Sequence, residues 1–129
     1  MKKFFGLIAA FAMFGLNSAC GQQNFENTDV NGFAELVADT NVVVLDVRTA
    51  SEFAEGHIER ALNIDYKQDD FAEKAKAALP LDKKIAIYCR SGRRSAGAAS
   101  ILASSGYQLV NLKGGIIAWK EAGQPVITE

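Results

Sequence analysis

The sequence predicts a three-layer α/β fold, with helices on both faces of a mostly parallel central sheet of about five strands. Short hydrophobic runs alternate along the chain with longer segments of helical pattern, as is typical of βα units. The runs 42–45 and 85–88 are continuous, as expected for strands that are buried on both faces. With 129 residues, the chain has the length of one domain.

The bounds of the elements follow from their flanking residues. Asp29 can cap a helix over about 31–38, and Thr49 opens a capping-box pattern for a short helix that should end at Gly56. The other predicted elements, in chain order, are a weak strand at 61–64, a helix that Asp69 or Asp70 caps and Pro80 stops, a helix over about 94–104 before Gly106, a strand at 109–112 and a short helix at 116–121.

The composition excludes several classes of protein. Hydrophobic residues make up 49% of the chain, charged residues 22%, and the formal net charge is -1. These values are ordinary for a globular protein and argue against a fibrous, low-complexity or nucleic-acid-binding chain. With one histidine and two distant cysteines, the sequence also predicts no metal cluster.

The first residues have a composition of their own. Residues 1–19 have the layout of a secretory signal peptide, in which Lys2 and Lys3 precede an apolar run. That run is too short for an ordinary membrane span. The alternative is a short buried helix, but the segment shows no amphipathic stripe. We therefore expect the protein to be exported to the cell envelope.

The end of the leader resembles that of a bacterial lipoprotein, in which a cysteine is lipidated and becomes the new N-terminus. Cys20 follows Ser-Ala, although Asn17 stands where such a site usually has leucine, so ordinary cleavage after Ala19 is the alternative. We expect a lipid anchor on Cys20, facing the periplasm or the outside. A polar tether would then span residues 20–30, ahead of a domain over 31–129.

Positive charge is concentrated around Cys89, which directly follows a predicted buried strand. Arg90, Arg93 and Arg94 lie within five residues of this thiol. Ligands of open α/β sheets bind at the carboxyl ends of strands, and Gly92 allows the backbone to curl so that N–H groups converge. With the N-terminus of the next helix, these groups favour an anion at the centre of the loop. We expect a reactive thiolate with its sulfur at the rim.

The cysteine count also points to Cys89. If Cys20 carries lipid, Cys89 has no partner in the chain, and a free thiol in a compartment that favours disulfides indicates a chemical use. The alternative is a structural cysteine beside a solvated cluster of arginines.

The run from Cys89 to Ser95 resembles the active-site loop of the single-domain rhodaneses, which are sulfurtransferases. Arg60 departs from that family, which commonly has glycine there. The resemblance extends over most of 31–126 and rests on two further sets of residues, 45–48, 52–53, 56–58 and 61–64 for the N-terminal signature, and 111–116, 118–119 and 123–126 for the C-terminal one.

The resemblance implies a double-displacement reaction at Cys89. The thiolate would take a sulfane sulfur from thiosulfate or a related anionic donor, release sulfite and remain as a persulfide. The sulfur would then pass to a thiol, or to cyanide as a test acceptor. The resemblance implies no cofactor, and we expect a monomer whose partners are the small donor, the acceptor and the membrane.

The loop residues would form the cradle for this sulfur. Arg94 would brace the loop or contact the donor, while Arg90 and Arg93 would project outward and recruit anions. Ser91 and Ser95 could donate hydrogen bonds to the sulfur or cap the helix, and capping is the favoured role for Ser95.

Outside the loop, four residues are expected to have supporting roles, and that of Asp46 is implied by the resemblance. Asp46 would end its strand near the mouth of the site and support the loop, with Arg48 as its structural neighbour. His57 fits a turn motif and is expected to be structural rather than catalytic. Trp119 should pack the last helix onto the sheet.

Three other functions are weighed, of which a tyrosine phosphatase is the first. Tyrosine phosphatases place an arginine six positions after the cysteine, whereas here Ser95 is at position six and Arg94 at position five. A phosphatase is therefore disfavoured. The remaining alternatives are a rhodanese-fold binding module and a persulfide carrier or redox sensor that does not turn over thiosulfate.

Overall fold

The computed structural model describes residues 24–128, so the predicted signal peptide, Cys20 and the start of the predicted tether lie outside the described residues. All five strands of the sheet run parallel, in the order β1-β5-β4-β2-β3, which confirms the predicted α/β class. The strands are β1 (Glu26–Thr28), β2 (Val43–Asp46), β3 (Leu62–Asn63), β4 (Ile85–Tyr88) and β5 (Leu109–Leu112).

Helices cover both faces of this sheet, as predicted. They are α1 (Val30–Ala38), α2 (Ala50–Glu55), α3 (Phe71–Ala78), α4 (Arg93–Ser104) and α5 (Gly115–Glu121). Two buried clusters show that α3 and α4 pack on one face and that α1 and α5 pack on the other. Within the described residues, no helix is both long and apolar enough to cross a membrane.

Aromatic packing anchors the α1 and α5 layer. Phe33 is fully buried, and its ring makes edge contacts with Tyr88 at 6.1 Å and with Trp119 at 6.0 Å between centroids. The Trp119 indole N–H donates to the Pro125 carbonyl at 2.8 Å. Trp119 therefore packs the last helix onto the sheet, as predicted.

Residues 26–28 form the edge strand β1, where the sequence predicts a polar tether. Glu26 pairs with Val110 of β5, and Asn24 just before the strand donates a side-chain hydrogen bond to the Ser100 carbonyl at 3.4 Å. Backbone pairing does not require apolar side chains at an exposed edge, so hydrophobic pattern alone does not reveal such a strand.

Arg60 has a backbone conformation that is unusual for a residue with a side chain. Its φ is 71°, in the left-handed region that favours glycine, which is the residue that the resemblance leads one to expect there. The guanidinium donates hydrogen bonds to the carbonyls of Val37, Asp39 and Val42, at and beyond the C-terminal end of α1. The bond to Val37 satisfies a carbonyl that the helix leaves open, and the guanidinium places a cation at the negative end of α1.

Candidate active site

Cys89 follows the central strand β4 directly, at the carboxyl edge of the sheet. The sequence predicts that the sulfur lies at the rim of the loop. Cys89 is only 1% exposed, however, so the sulfur lies on the floor of the loop. The reason is that the side chain packs into the layer beneath α4, with neighbours such as Val47 and Ala98. A reagent must therefore reach the sulfur through the centre of the loop.

Three polar groups of the loop lie within hydrogen-bond distance of this sulfur. The Gly92 N–H donates to Cys89 Sγ at 3.1 Å, and the Ser95 N–H and hydroxyl each lie 3.3 Å from it. Gly92 begins α4 in the left-handed conformation, with φ 102°, and has no side chain with which to cap the helix. The sulfur takes the place of that cap, because it accepts from N–H groups that the first turn leaves open.

Ser95 is not the helix cap that the sequence favours. It lies in the first turn of α4, three residues after the cap position at Gly92. Its hydroxyl reaches Cys89 Sγ, which is the other predicted role, and also Asn111 Oδ1 at 2.6 Å. Both Ser95 and Asn111 are buried, so the hydroxyl is isolated from water.

Asn111 is a candidate residue that reasoning from the sequence did not single out. It lies in β5 and is 3% exposed, and its amide nitrogen donates to Asn27 Oδ1 at 3.1 Å. A polar amide within the otherwise apolar strand at 109–112 was the available signal, because buried polar side chains need hydrogen-bond partners.

The N-terminus of α5 supports the loop from behind. The N–H groups of Ile116 and Ile117 donate to the carbonyls of Cys89 and Arg90, at 2.9 and 3.2 Å. Gly115 allows this close approach, because a Cβ there would overlap the Arg90 carbonyl and lie 2.7 Å from the Cys89 oxygen. The carbonyls are thus turned away from the sulfur, and the N–H groups face it.

The three arginines of the loop divide into two groups. Arg90 and Arg93 are exposed and project outward, as predicted, and Ser91 is exposed beside them. Arg94 instead forms a bidentate ion pair with Glu52, with both nitrogen–oxygen distances at 2.9 Å. This hydrogen bonding by Arg94 is the main reason that the pKa of Glu52 falls to about 2. The geometry favours the bracing role for Arg94 over direct contact with a donor.

Comparison with known proteins agrees with this geometry. A model of the rhodanese-like domain family matches residues 29–122. This chain belongs to the rhodanese-like domain family.

Named sulfurtransferases are among the relatives of this rhodanese domain. It is 38% identical over 101 residues to a sulfurtransferase of Allochromatium vinosum, covering 77% of this chain and 92% of that protein. It is also 38% identical to thiosulfate sulfurtransferase 18 of Arabidopsis thaliana, covering 66% and 71% of the two chains. The crystal structure of a rhodanese-related protein from Thermoplasma volcanium is similar, with a TM-score of 0.73, 35% identity and coverage of 81% and 100%.

Asp46 ends β2 at the carboxyl edge of the sheet of this rhodanese domain, as expected, but its side chain does not face the candidate site. The side chain is fully buried, and it belongs to the sheet face of Tyr88, whereas the neighbouring Val47 packs with Cys89. Side chains alternate between the faces of a strand, so the carboxylate and the thiol lie on opposite sides of the sheet.

The carboxylate of Asp46 instead organises a buried polar cluster. It accepts hydrogen bonds from the Arg48 backbone N–H at 2.9 Å and from the guanidinium at 2.6 Å, so Arg48 is its neighbour, as predicted. Arg48 also donates to the Gly56 carbonyl at 2.7 Å, and the Tyr88 hydroxyl accepts from the Ile58 N–H at 3.0 Å. Burial, followed by the charge of Asp46, raises the pKa of Tyr88 far above its ordinary value. The cluster fixes the turn after α2.

His57 has a structural position in the rhodanese domain, as predicted. Its ring stacks on Phe53, with 3.7 Å between centroids, and Nδ1 donates to the Phe53 carbonyl at 3.0 Å. Its backbone forms an antiparallel bridge with Ile127. His57 thus joins α2, through its side chain, to the C-terminal segment, through its backbone.

A shallow groove of about 360 Å³ borders the loop on the β1 side. Its lining residues include Ser91 and Gly92 of the loop, together with Asn27, Asn111 and Lys113. The exposed arginines of the loop and Lys113 of the groove place positive charge beside these hydrogen-bonding groups. Such surroundings suit a small anion that carries a transferable atom.

Proposed function

We propose that this protein is a sulfurtransferase of the rhodanese type, which carries sulfur as a persulfide on Cys89. The donor would be thiosulfate or a related sulfane compound, and the acceptor a thiol, with cyanide as the test acceptor. The observation that carries the proposal is the convergence of two N–H groups and one hydroxyl on a buried sulfur. The names of the relatives support the same reaction class.

The first half-reaction forms the persulfide. The Cys89 thiolate attacks the outer sulfur of thiosulfate, a new S–S bond forms, and the S–S bond of the donor breaks. Sulfite leaves with the electron pair of that bond. The outer sulfur of the persulfide carries negative charge, which the N–H groups of the loop stabilise as oxyanion-hole donors stabilise oxygen.

The second half-reaction transfers the outer sulfur to the acceptor and regenerates the Cys89 thiolate. An acceptor thiolate attacks the outer sulfur of the persulfide, and the electron pair of the broken S–S bond returns to Cys89. The product is a persulfide of the acceptor, or thiocyanate when cyanide accepts. Both half-reactions balance without an added oxidant or reductant.

The charges of the loop divide the labour in this reaction. Arg94 is neutralised by Glu52, so it braces the loop and adds little attraction for a distant anion. Arg90 and Arg93 are exposed, and their charges attract the donor to the loop. Gly92 supplies an N–H group to the sulfur, and Ser91 lines the groove beside the loop.

Intact-mass measurement tests the proposal. A Cys20→Ser background leaves Cys89 as the one thiol of the chain. Thiosulfate should add one sulfur, about 32 Da, and cyanide or a thiol should remove it. Cys89→Ser should show no gain while keeping its fold. If Cys89 remains open to alkylation but gains no sulfur, the proposal fails for thiosulfate, and another donor or the binding-module alternative takes its place.

We also propose that the protein is exported and anchored through a lipid on Cys20. β1 begins at Glu26, six residues after Cys20, which at full extension is about 20 Å of chain. The start of β1 is at the amino edge of the parallel sheet, whereas Cys89 is at the carboxyl edge. The anchor would therefore leave the loop facing away from the membrane.

Fractionation tests the anchor separately from the chemistry. The wild-type chain should sediment with membranes and carry the mass of a lipid on Cys20. Cys20→Ser should lose both properties and keep the thiosulfate-dependent mass gain on Cys89. A soluble wild-type chain that has been cleaved after Ala19 would instead support an unlipidated, exported form.

A further inference from the structure

One hydroxyl hydrogen faces two acceptors beneath the loop. Ser95 Oγ lies 2.6 Å from Asn111 Oδ1 and 3.3 Å from Cys89 Sγ. A serine hydroxyl has a single hydrogen and can donate to only one of them at a time. The state of Ser95 therefore depends on which acceptor attracts the hydrogen more strongly.

The orientation of the Asn111 amide decides the resting arrangement. Its nitrogen faces the Gly92 carbonyl at 3.4 Å, and it donates to Asn27 Oδ1 at 3.1 Å. A backbone carbonyl can only accept, so the NH₂ group belongs on that side and the amide oxygen faces Ser95. The short contact then requires the Ser95 hydroxyl to donate to Asn111, and its lone pairs face the sulfur.

We propose that Asn111 is a positioning residue, which accepts the Ser95 hydroxyl hydrogen while Cys89 is a thiol and releases it to the sulfur when the sulfur is negatively charged. In the thiol state, S–H donates to Ser95 Oγ. When the thiol proton leaves to solvent, the hydroxyl rotates about its Cβ–Oγ bond and donates to the thiolate. No covalent bond of Ser95 or Asn111 changes.

The rotation matters for the sulfur because the side chains involved are buried. Ser95, Asn111 and Cys89 are all 3% exposed or less, so water cannot readily supply a missing donor. The Gly92 and Ser95 N–H groups are fixed by the backbone, which leaves the hydroxyl as the adjustable donor to the sulfur. Asn111 competes with the thiolate for that donor and therefore reduces the thiolate population.

The charged groups around the loop do not change in this comparison. Arg90 and Arg93 are exposed, and Arg94 is paired with Glu52 and also feels the charge of Asp65. Substitutions at two uncharged residues leave all these charges in place. A change in thiol reactivity would then report on the hydrogen bond itself.

The test is a double-mutant cycle read by the alkylation rate of Cys89 with iodoacetamide at neutral pH, in the Cys20→Ser full-length chain. Ser95→Ala removes a donor from the thiolate and should slow alkylation about three- to tenfold. Asn111→Leu leaves the sulfur as the favoured acceptor and should accelerate alkylation by a similar factor. The double variant should react like Ser95→Ala alone.

That last equality separates positioning from a structural effect. If Asn111→Leu acts only by loosening the loop, it will change the rate by the same factor with or without the Ser95 hydroxyl. Such a result overturns the inference, as does an unchanged or slower rate in Asn111→Leu alone. Circular dichroism shows whether each variant is folded.

A milder variant keeps the test decisive if Asn111→Leu does not fold. Asn27→Ala on the exposed edge strand removes one partner that orients the Asn111 amide. It should accelerate alkylation by a smaller factor, and only when Ser95 is present. No acceleration in a folded Asn27→Ala chain, with Asn111→Leu unfolded, counts against the inference.

A role for Asn111 in the persulfide state rests on the proposed sulfurtransferase function. The alkylation test of its positioning role does not depend on that function. Alkylation reports on the thiol without any sulfur donor. If wild type shows no thiosulfate-dependent mass gain while the cycle gives the expected coupling, the proposed donor is wrong and the positioning role of Asn111 stands. If the mass gain is normal but the two substitutions show no coupling, the proposed function stands and the positioning role of Asn111 is wrong.

Discussion

Arg94 and Glu52 form a bidentate ion pair that joins the first turn of α4 to α2, with both nitrogen–oxygen distances at 2.9 Å. The same carboxylate completes the capping box of α2, because it accepts from the Thr49 backbone N–H at 2.9 Å. One side chain therefore caps the start of α2 and supports the loop around Cys89. Stability and site geometry are coupled at this position.

Glu52→Gln should destabilise the domain in a pH-dependent way. The hydrogen bonds from Arg94 lower the pKa of Glu52 from 4.5 to about 2 in the folded protein. The unfolded chain thus binds the proton more tightly, and the stabilisation is complete above about pH 5 and lost as the pH falls toward 2. We expect a cost of about 1–2 kcal/mol at pH 7, measured by urea unfolding, which shrinks between pH 5 and 2.

Glu55→Gln is the matched control for this prediction. Glu55 is on the same helix but is exposed, so its substitution should cost no more than about 0.5 kcal/mol. If the two variants lose stability equally and with the same pH dependence, the ion pair with Arg94 contributes nothing specific.

Most of the fold was predictable because the determinants are local. The continuous runs at 42–45 and 85–88 predict buried strands, and the Thr49 capping box predicts the start of α2, which the structure confirms. The turn at Gly92 also follows from local chemistry, since a glycine there can adopt the left-handed conformation that starts α4. Strand β1 was missed because its residues are polar and only their pairing with β5 makes them a strand.

The contacts that complete the site were not predictable, because they depend on the register of distant segments. Ser95 and Asn111 are sixteen residues apart, and Glu52 and Arg94 are forty-two apart. Because side chains alternate along a strand, Asp46 likewise lies on the face opposite the thiol. Neither its residue type nor its place in the run 45–48 reveals this orientation.

Removing the exposed charges should weaken capture of an anionic donor. We expect Arg90→Ala/Arg93→Ala to lower kcat/KM for thiosulfate about three- to tenfold at low salt, with the difference vanishing at high salt because exposed charges are screened. Steady-state assays with cyanide at two ionic strengths measure this effect.

Arg94→Ala should instead lower the urea midpoint, because Arg94 braces the loop through Glu52. An effect of Arg94→Ala that depends only on salt would contradict this bracing role.

Gly115→Ala should displace the loop. A Cβ at this position would overlap the Arg90 carbonyl, and its φ of 61° is already unfavourable for alanine. We expect a loss of about 2 kcal/mol or more in urea unfolding, together with a large fall in the rate of persulfide formation.

Gly123→Ala separates the overlap from the backbone strain. Gly123 has a φ of 81°, but a Cβ there would have no atom within 4 Å. Its substitution should cost about 1 kcal/mol and leave persulfide formation unchanged. Equal losses in the two variants would show that the close approach behind the loop is unimportant.

Asp46→Asn should reduce stability without disabling the thiol. The change leaves the buried Arg48 guanidinium without its counter-charge, at a cost of about 3–5 kcal/mol in urea unfolding. Because the carboxylate lies on the opposite face of the sheet, the alkylation rate of Cys89 should stay within about twofold at temperatures where the variant is folded. The exposed Asp69 supplies a control, since Asp69→Asn should change neither quantity. A folded Asp46→Asn variant with an unreactive thiol would place Asp46 in the site after all.

Substitutions at Arg60 separate backbone strain from side-chain bonding. Arg60→Ala and Arg60→Gly both remove the guanidinium from the carbonyls at the C-terminal end of α1, but alanine keeps the unfavourable φ of 71° and glycine does not. We expect both variants to be less stable than wild type and alanine to be the worse by about 1 kcal/mol, as measured by urea unfolding. If Arg60→Gly is more stable than wild type, the three guanidinium bonds do not offset the strain, and glycine is the better residue for this turn.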